Sequence, residues 1–131
     1  LIQSREIMNN VLSRTDKDIP TILVGNNTAR SYYGVSLEAF SRTAGEIPLV
    51  DQKTIATDAA LAFDDIIRKY VFENHLLIVD WHTKDIIGRM KIEMEDYLID
   101  HVKRKYGIPL TFDDMDAIID SCVNVAKNLL K

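Results

Sequence analysis

The sequence predicts an all-α fold of about six helices, ending in a long antiparallel helical hairpin with arms at about 83–106 and 111–130. Three observations carry this. Apolar residues recur at three- and four-residue spacing along most of the chain. No stretch alternates apolar and polar residues for long enough to build a sheet. Gly107 and Pro109 break the chain between two long periodic segments, and a short link between long helices forces them antiparallel.

The elements follow in order. Ile7, Met8, Val11 and Leu12 fall at helical spacing, so Leu1 to Ser13 reads as a short amphipathic helix. Thr15 to Asp18 is a polar break. Pro20 to Gly25 offers a helix start and stop, with a short strand as the competing reading of Ile22, Leu23 and Val24. Asn26, Asn27 and Thr28 supply capping oxygens. Ala29, Tyr33, Leu37 and Phe40 then share one face of a helix of about 14 residues. Arg42 to Gln52, with Gly45 and Pro48, reads as a loop.

The next helix is the most regular. Ile55, Ala59, Ala62, Phe63, Ile66, Ile67 and Tyr70 form one stripe, and the helix ends before Asn74. Leu76 to Val79 is extended and runs into Asp80, the lone tryptophan Trp81 and His82. Thr83 caps the long helix, with Asp85 in its first turn, where the macrodipole favours an anion. Ile87, Met90, Met94, Tyr97, Leu98, His101 and Val102 form its buried stripe. Lys103, Arg104 and Lys105 complement the dipole of its last turn. About 24 residues make a rod of roughly 36 Å. Thr111 opens the last helix with Asp114 three residues later, a capping-box start. Met115, Ile118, Ile119, Cys122, Val125, Ala126 and Leu129 continue its stripe.

With 131 residues the chain is expected to be a single helical domain, long enough for one core. Apolar residues at 47% and charged residues at 27% place it among globular rather than disordered chains. No apolar run approaches the roughly 20 residues of a membrane helix, so no membrane partner is expected. No signal peptide is visible. A single cysteine, Cys122, cannot form an internal disulfide, which fits a reducing cytoplasm. A net charge of −4 argues against a large nucleic-acid footprint, though not against a local basic patch. The start at Leu1, without methionine, suggests a fragment of a much larger protein.

No group of residues forms a self-sufficient catalytic, cofactor or metal site. Asp51-x-Lys53 matches half of a metal-dependent nuclease motif, with Asp18 as an upstream acid, but it falls in a predicted loop. His75, His82 and His101 lack zinc spacing. His101 falls on the buried edge of its helix, and Cys122 on an apolar face. Asp113, Asp114 and Asp116 lack the glycine and final glutamate of a calcium loop and suit a helix N-terminus. No phosphate-cradling glycine loop is present. Trp81 either pins the extended run to the core or anchors an interface.

Several segments nonetheless resemble one family. Val79-Asp80-Trp81, Met90, Asp96-Tyr97-Leu98, Lys105-x-Gly107-Ile108-x-Leu110-Thr111 and Met115-Asp116-x-Ile118-Ile119 look like the C-terminal end of type I restriction enzyme R subunits. Gly25-Asn26-x-x-Ala29-Arg30-x-Tyr32-Tyr33-Gly34-Val35 and Ala60-Leu61-x-x-Asp64-Asp65-Ile66-Ile67 look like the same region. The shared order and spacing span about residues 19 to 127. The resemblance implies a parent that is an ATP- and Mg²⁺-dependent DNA translocase and nuclease, a type I site-specific deoxyribonuclease whose motifs lie upstream. This fragment would then be no enzyme. Its implied role is docking the R subunit onto the modification (methyltransferase) subunit. Candidate contacts are Trp81, His82, Arg89, Lys103, Arg104 and Lys105. The rival readings are direct DNA contact through the basic turn and a small-ligand or nucleotide regulatory site.

Overall fold

The computed structural model describes residues 20–43, 45–83 and 85–130. The amphipathic segment expected at Leu1 to Ser13, and Asp18, lie outside them. Four helices dominate the described residues: α1 (Asn27–Thr43), α2 (Leu49–Val71), α3 (residues 86–106) and α4 (Phe112–Leu129). The all-α expectation holds there, apart from one short two-stranded ribbon. No helix among the described residues is long and apolar enough to cross a membrane.

The segment after Pro20 is neither a full helix nor a strand. It makes a single 3₁₀ turn, Thr21–Leu23, and Gly25 at φ 88° reverses the chain toward α1. Asn26 caps α1, its Oδ1 accepting from the Ala29 N–H at 3.1 Å. The predicted Ala29, Tyr33 and Phe40 are buried, joined by Tyr32, Ser36 and Ala39.

The predicted loop at Arg42 to Gln52 is shorter in the structure. Proline suits the start of a helix, so α2 begins at Leu49, directly after Pro48, whose carbonyl accepts from the Asp51 and Gln52 N–H groups at 3.0 Å. Ile55, Ala59, Phe63 and Ile67 bury as the stripe requires, and Ala56, Ala60 and Val71 widen it. Ala62, Ile66 and Tyr70 sit at its edge.

After α2 the chain does something the helical periodicity does not announce. Phe72–Glu73 (β1) pairs antiparallel with Leu76–Leu77 (β2), in the register Phe72 to Leu77 and Glu73 to Leu76. The two-residue loop is Asn74-His75, with φ of 53° and 66°. Both central residues are left-handed, the condition for a turn whose twist matches the strands. Asparagine and histidine are among the few non-glycine residues that adopt it.

The long helix starts later than Thr83. Trp81–Thr83 is a 3₁₀ turn, and the Thr83 hydroxyl bonds back to the Asp80 carbonyl at 2.8 Å. Asp85 takes the cap position, with no side-chain bond. Helix α3 is α-helical over Ile86–Leu98, π-helical over Ile99–Lys103, and closes with one turn at Arg104–Tyr106. Met90, Met94, Leu98 and Val102 are all buried. At 3.6 residues per turn, twelve residues would carry Val102 about 120° away from Met90. The wide turn takes up part of that drift and keeps Val102 on the core side. It leaves His101 exposed, stacked on Tyr97 at 4.9 Å, rather than on the buried edge.

Gly107 at φ 74° ends α3 as read from the sequence, its N–H on the Lys103 carbonyl. The capping box of α4 forms as read: the Asp114 N–H donates to Thr111 Oγ1 at 3.0 Å, and the Thr111 N–H to Asp114 Oδ2 at 2.9 Å.

Helices α1 and α2 make the most extensive pair; α4 lies chiefly on α1 and α3 chiefly on α2. The last two helices therefore flank a central α1–α2 pair. Tyr32, Phe40, Phe63, Trp81 and Met94 are among the large side chains fully inside.

Candidate functional site

Trp81 is 2% exposed, and its Nε1–H donates to the Leu130 carbonyl at 2.7 Å. That carbonyl belongs to the residue closing α4, where helical partners run out. One indole thus fills core volume and ties the end of α4 to the extended run. Asp80, at φ 55°, makes the bend that turns the indole inward. Trp81 is not itself a surface anchor.

His82 is exposed and meets the Trp81 ring edge-on at 6.2 Å. A groove of about 480 Å³ runs beside them, walled by Leu77 to His82 on one side and by Lys127 and Leu130 on the other. Val79 in its lining is 78% exposed, and Leu76, the residue just before the lining run, is 72% exposed. The adjoining hollow shares Leu130 and reaches Leu129, Arg68 and the start of α1. Val79 in the groove and Leu129 in the adjoining hollow are both exposed apolar residues.

Arg89 is exposed on α3, near a surface cluster of Lys69, Tyr70 and Glu93. Glu93 accepts from the Lys69 ammonium and, at 2.7 Å, from the Tyr70 hydroxyl. These bonds lower the Glu93 carboxyl pKa and raise those of Lys69 and Tyr70. Lys103, Arg104 and Lys105 lie at the far end of α3. Lys103 is half-buried with its ammonium 5.8 Å over the Phe112 ring, Arg104 bonds Asp100 at 3.2 Å, and Lys105 lies 5.3 Å over Tyr106. Fourteen residues of helix separate Arg89 from Lys103, about 20 Å. The six candidate contacts therefore divide between two ends of the molecule.

The other sequence candidates find structural places. Asp51 lies in the first turn of α2 rather than in a loop, where the dipole favours it. His75 occupies the ribbon turn. Burial pushes the Cys122 thiol well above its ordinary range. Among the described residues no group of three or more His, Cys, Asp or Glu side chains is arranged to hold a metal.

The best-organised polar cluster is one the periodicity does not single out. Asp64 on α2 is 6% exposed and takes Arg68 Nε on both oxygens, at 3.0 and 3.1 Å. It also accepts from Thr28 Oγ1 at 2.6 Å and Asn26 Nδ2 at 3.1 Å. The Thr28 hydroxyl has one proton, which the short contact assigns to Asp64, and it accepts from Arg68 Nη2 at 3.1 Å. The cluster clamps the start of α1 to α2. Tyr32 lies close by, and burial, followed by the Asp64 charge, raises its pKa strongly. The advance signals in the residues were Asn26 and Thr28 as capping oxygens; a partner 36 or 38 residues away leaves no local trace. In comparisons with known proteins, no family model, no curated protein and no solved structure matches this chain.

Proposed function

We propose that this chain is a non-catalytic assembly domain, the C-terminal docking module of a type I restriction R subunit. In this reading it holds an ATP- and Mg²⁺-dependent DNA translocase and nuclease on the modification (methyltransferase) subunit, in the cytoplasm, as one piece of a larger protein. The observation that carries the assembly reading is a formed groove and adjoining hollow with the exposed apolar residues Val79 and Leu129 in their linings. Clustered exposed apolar side chains beside a cleft mark interaction sites. The resemblance supplies the partner's identity. Two of its upstream segments meet in space, through Asn26 and Asp64, which suits a shared architecture.

Reading α3 and α4 as the arms of one antiparallel hairpin is supported by contacts at both ends and the middle. Trp81, just before α3, meets Leu130; Lys91 bonds Asp120 at 2.9 Å; Lys103 covers Phe112. The hairpin presents the groove at one end and the basic turn at the other.

The test is binding of the 131-residue chain to the purified methyltransferase core. No binding by this chain, with binding retained by an R subunit lacking it, would sink the proposal. A second reading is DNA contact, favoured by Arg104 and Lys105 exposed together at the end of α3. It requires affinity that falls steeply with salt, because phosphate contacts release counterions.

A further inference from the structure

The groove beside Trp81 has one wall made of a continuous run of chain, Leu77 to His82. In the ribbon, Ile78 N–H bonds the Val71 carbonyl at 2.8 Å, and the register pairs Phe72 with Leu77. Pairs alternate between bonded and non-bonded in an antiparallel ladder. Phe72–Leu77 is thus the non-bonded pair, and the Leu77 N–H and C=O point away from β1. Neither group has a partner among the described residues. Leu77 and the exposed Val79 line the groove, and Leu76, next to Leu77 in β2, is exposed as well. On the opposite wall Lys127 is exposed and makes no ion pair among the described residues.

We propose that this groove receives an extended peptide segment, which adds to the free edge of β2 and carries apolar side chains for Leu76 and Val79 and an acidic one for Lys127. An outward N–H and C=O on one strand residue is the unit of strand addition, in which main-chain bonds give affinity and flanking side chains give selectivity. Lys127, with no ion pair among the described residues, selects an acid on the α4 side. A second copy of this chain is a poorer occupant. Residues 76–79 give only four residues and about 14 Å of edge, where a stable interface takes roughly 20 residues a side. The inference deepens the assembly reading and rests on it only for whose segment is bound.

The probe is a capped six-residue peptide alternating valine and threonine, with one central glutamate, titrated into the labelled 131-residue chain and followed by amide chemical shifts. Saturable shifts at residues 77–82 and 127–130 are expected. Exchanging the peptide's glutamate for lysine, or making Lys127→Glu, should each weaken binding about fivefold. Lys127 is exposed, so the variant keeps the fold. No saturable shifts at millimolar peptide, shifts confined elsewhere, or affinity indifferent to both charge changes would overturn the inference. So would a Leu77 amide already protected from exchange in the free chain, whether by the chain's own residues or by a dimer. Peptide binding without methyltransferase binding keeps the groove and removes the assembly reading. Methyltransferase binding with these amides unshifted does the reverse.

Discussion

Replacing Trp81 with phenylalanine separates a core staple from an interface anchor. The substitution keeps an aromatic ring at a site only 2% exposed but removes the donor that holds the Leu130 carbonyl at 2.7 Å. Losing that bond costs about 1 kcal/mol net, and the stranded, half-buried carbonyl adds about 1 kcal/mol. The smaller ring leaves a cavity worth roughly 1 kcal/mol more. The expected loss is therefore about 3 kcal/mol, or a fall in Tm of about 10 °C for a chain of this size. Urea unfolding followed by circular dichroism measures it; the substitution removes the only tryptophan, so fluorescence does not serve. Hydrogen exchange in the last turn of α4 should speed up with it. A variant within about 0.5 kcal/mol of the parent, the range of plain surface changes, refutes the staple.

Asp64→Asn should cost roughly 2 kcal/mol in the same assay; the 3–5 kcal/mol typical of a fully buried pair is about an upper bound, because Arg68 is 42% exposed. His75→Gly should stabilise by about 0.5–1 kcal/mol, since the left-handed penalty it removes exceeds the glycine entropy it adds; a loss of stability would disprove a left-handed His75. Hydrogen bonds from the Thr111 backbone and hydroxyl hold the Asp114 carboxyl below the usual range. A depressed carboxylate contributes stability above its unfolded pKa and loses it as pH falls through the folded one. Asp114→Asn should therefore be less stable than the parent at pH 7 and equal to it near pH 2; a gap that persists in acid assigns the effect elsewhere.

Much of the helical framework was legible because its causes are local. The stripe from Ile55 to Ile67, the Thr111–Asp114 box and the left-handed stop at Gly107 each depend on residues within a few turns. The ribbon at Phe72–Leu77 was not legible, because its turn uses Asn74 and His75 where glycine usually gives the signal. The π turn was hidden for a related reason: Met90, Met94, Leu98 and Val102 read as a continuous stripe whether or not the helix widens. The candidate contacts were chosen from charge and rarity along the chain, and the structure then placed Trp81, His82 and Arg89 toward the start of α3 and Lys103 to Lys105 at its end.

The sequence by itself determined the helical class, the run of the main helices and the ends at Asn26, Gly107 and Thr111, since periodicity and capping act within a few residues. Tertiary structure decided which polar groups meet and which apolar ones stay outside. Asp64 found Asn26 and Thr28 across the α1–α2 pair, and Trp81 turned inward to Leu130, 49 residues away. Leu76 and Val79 stay exposed while Leu77 and Ile78 between them are half-buried, because the ribbon pairing and the left-handed bend at Asp80, rather than the apolar run itself, set which way each side chain faces.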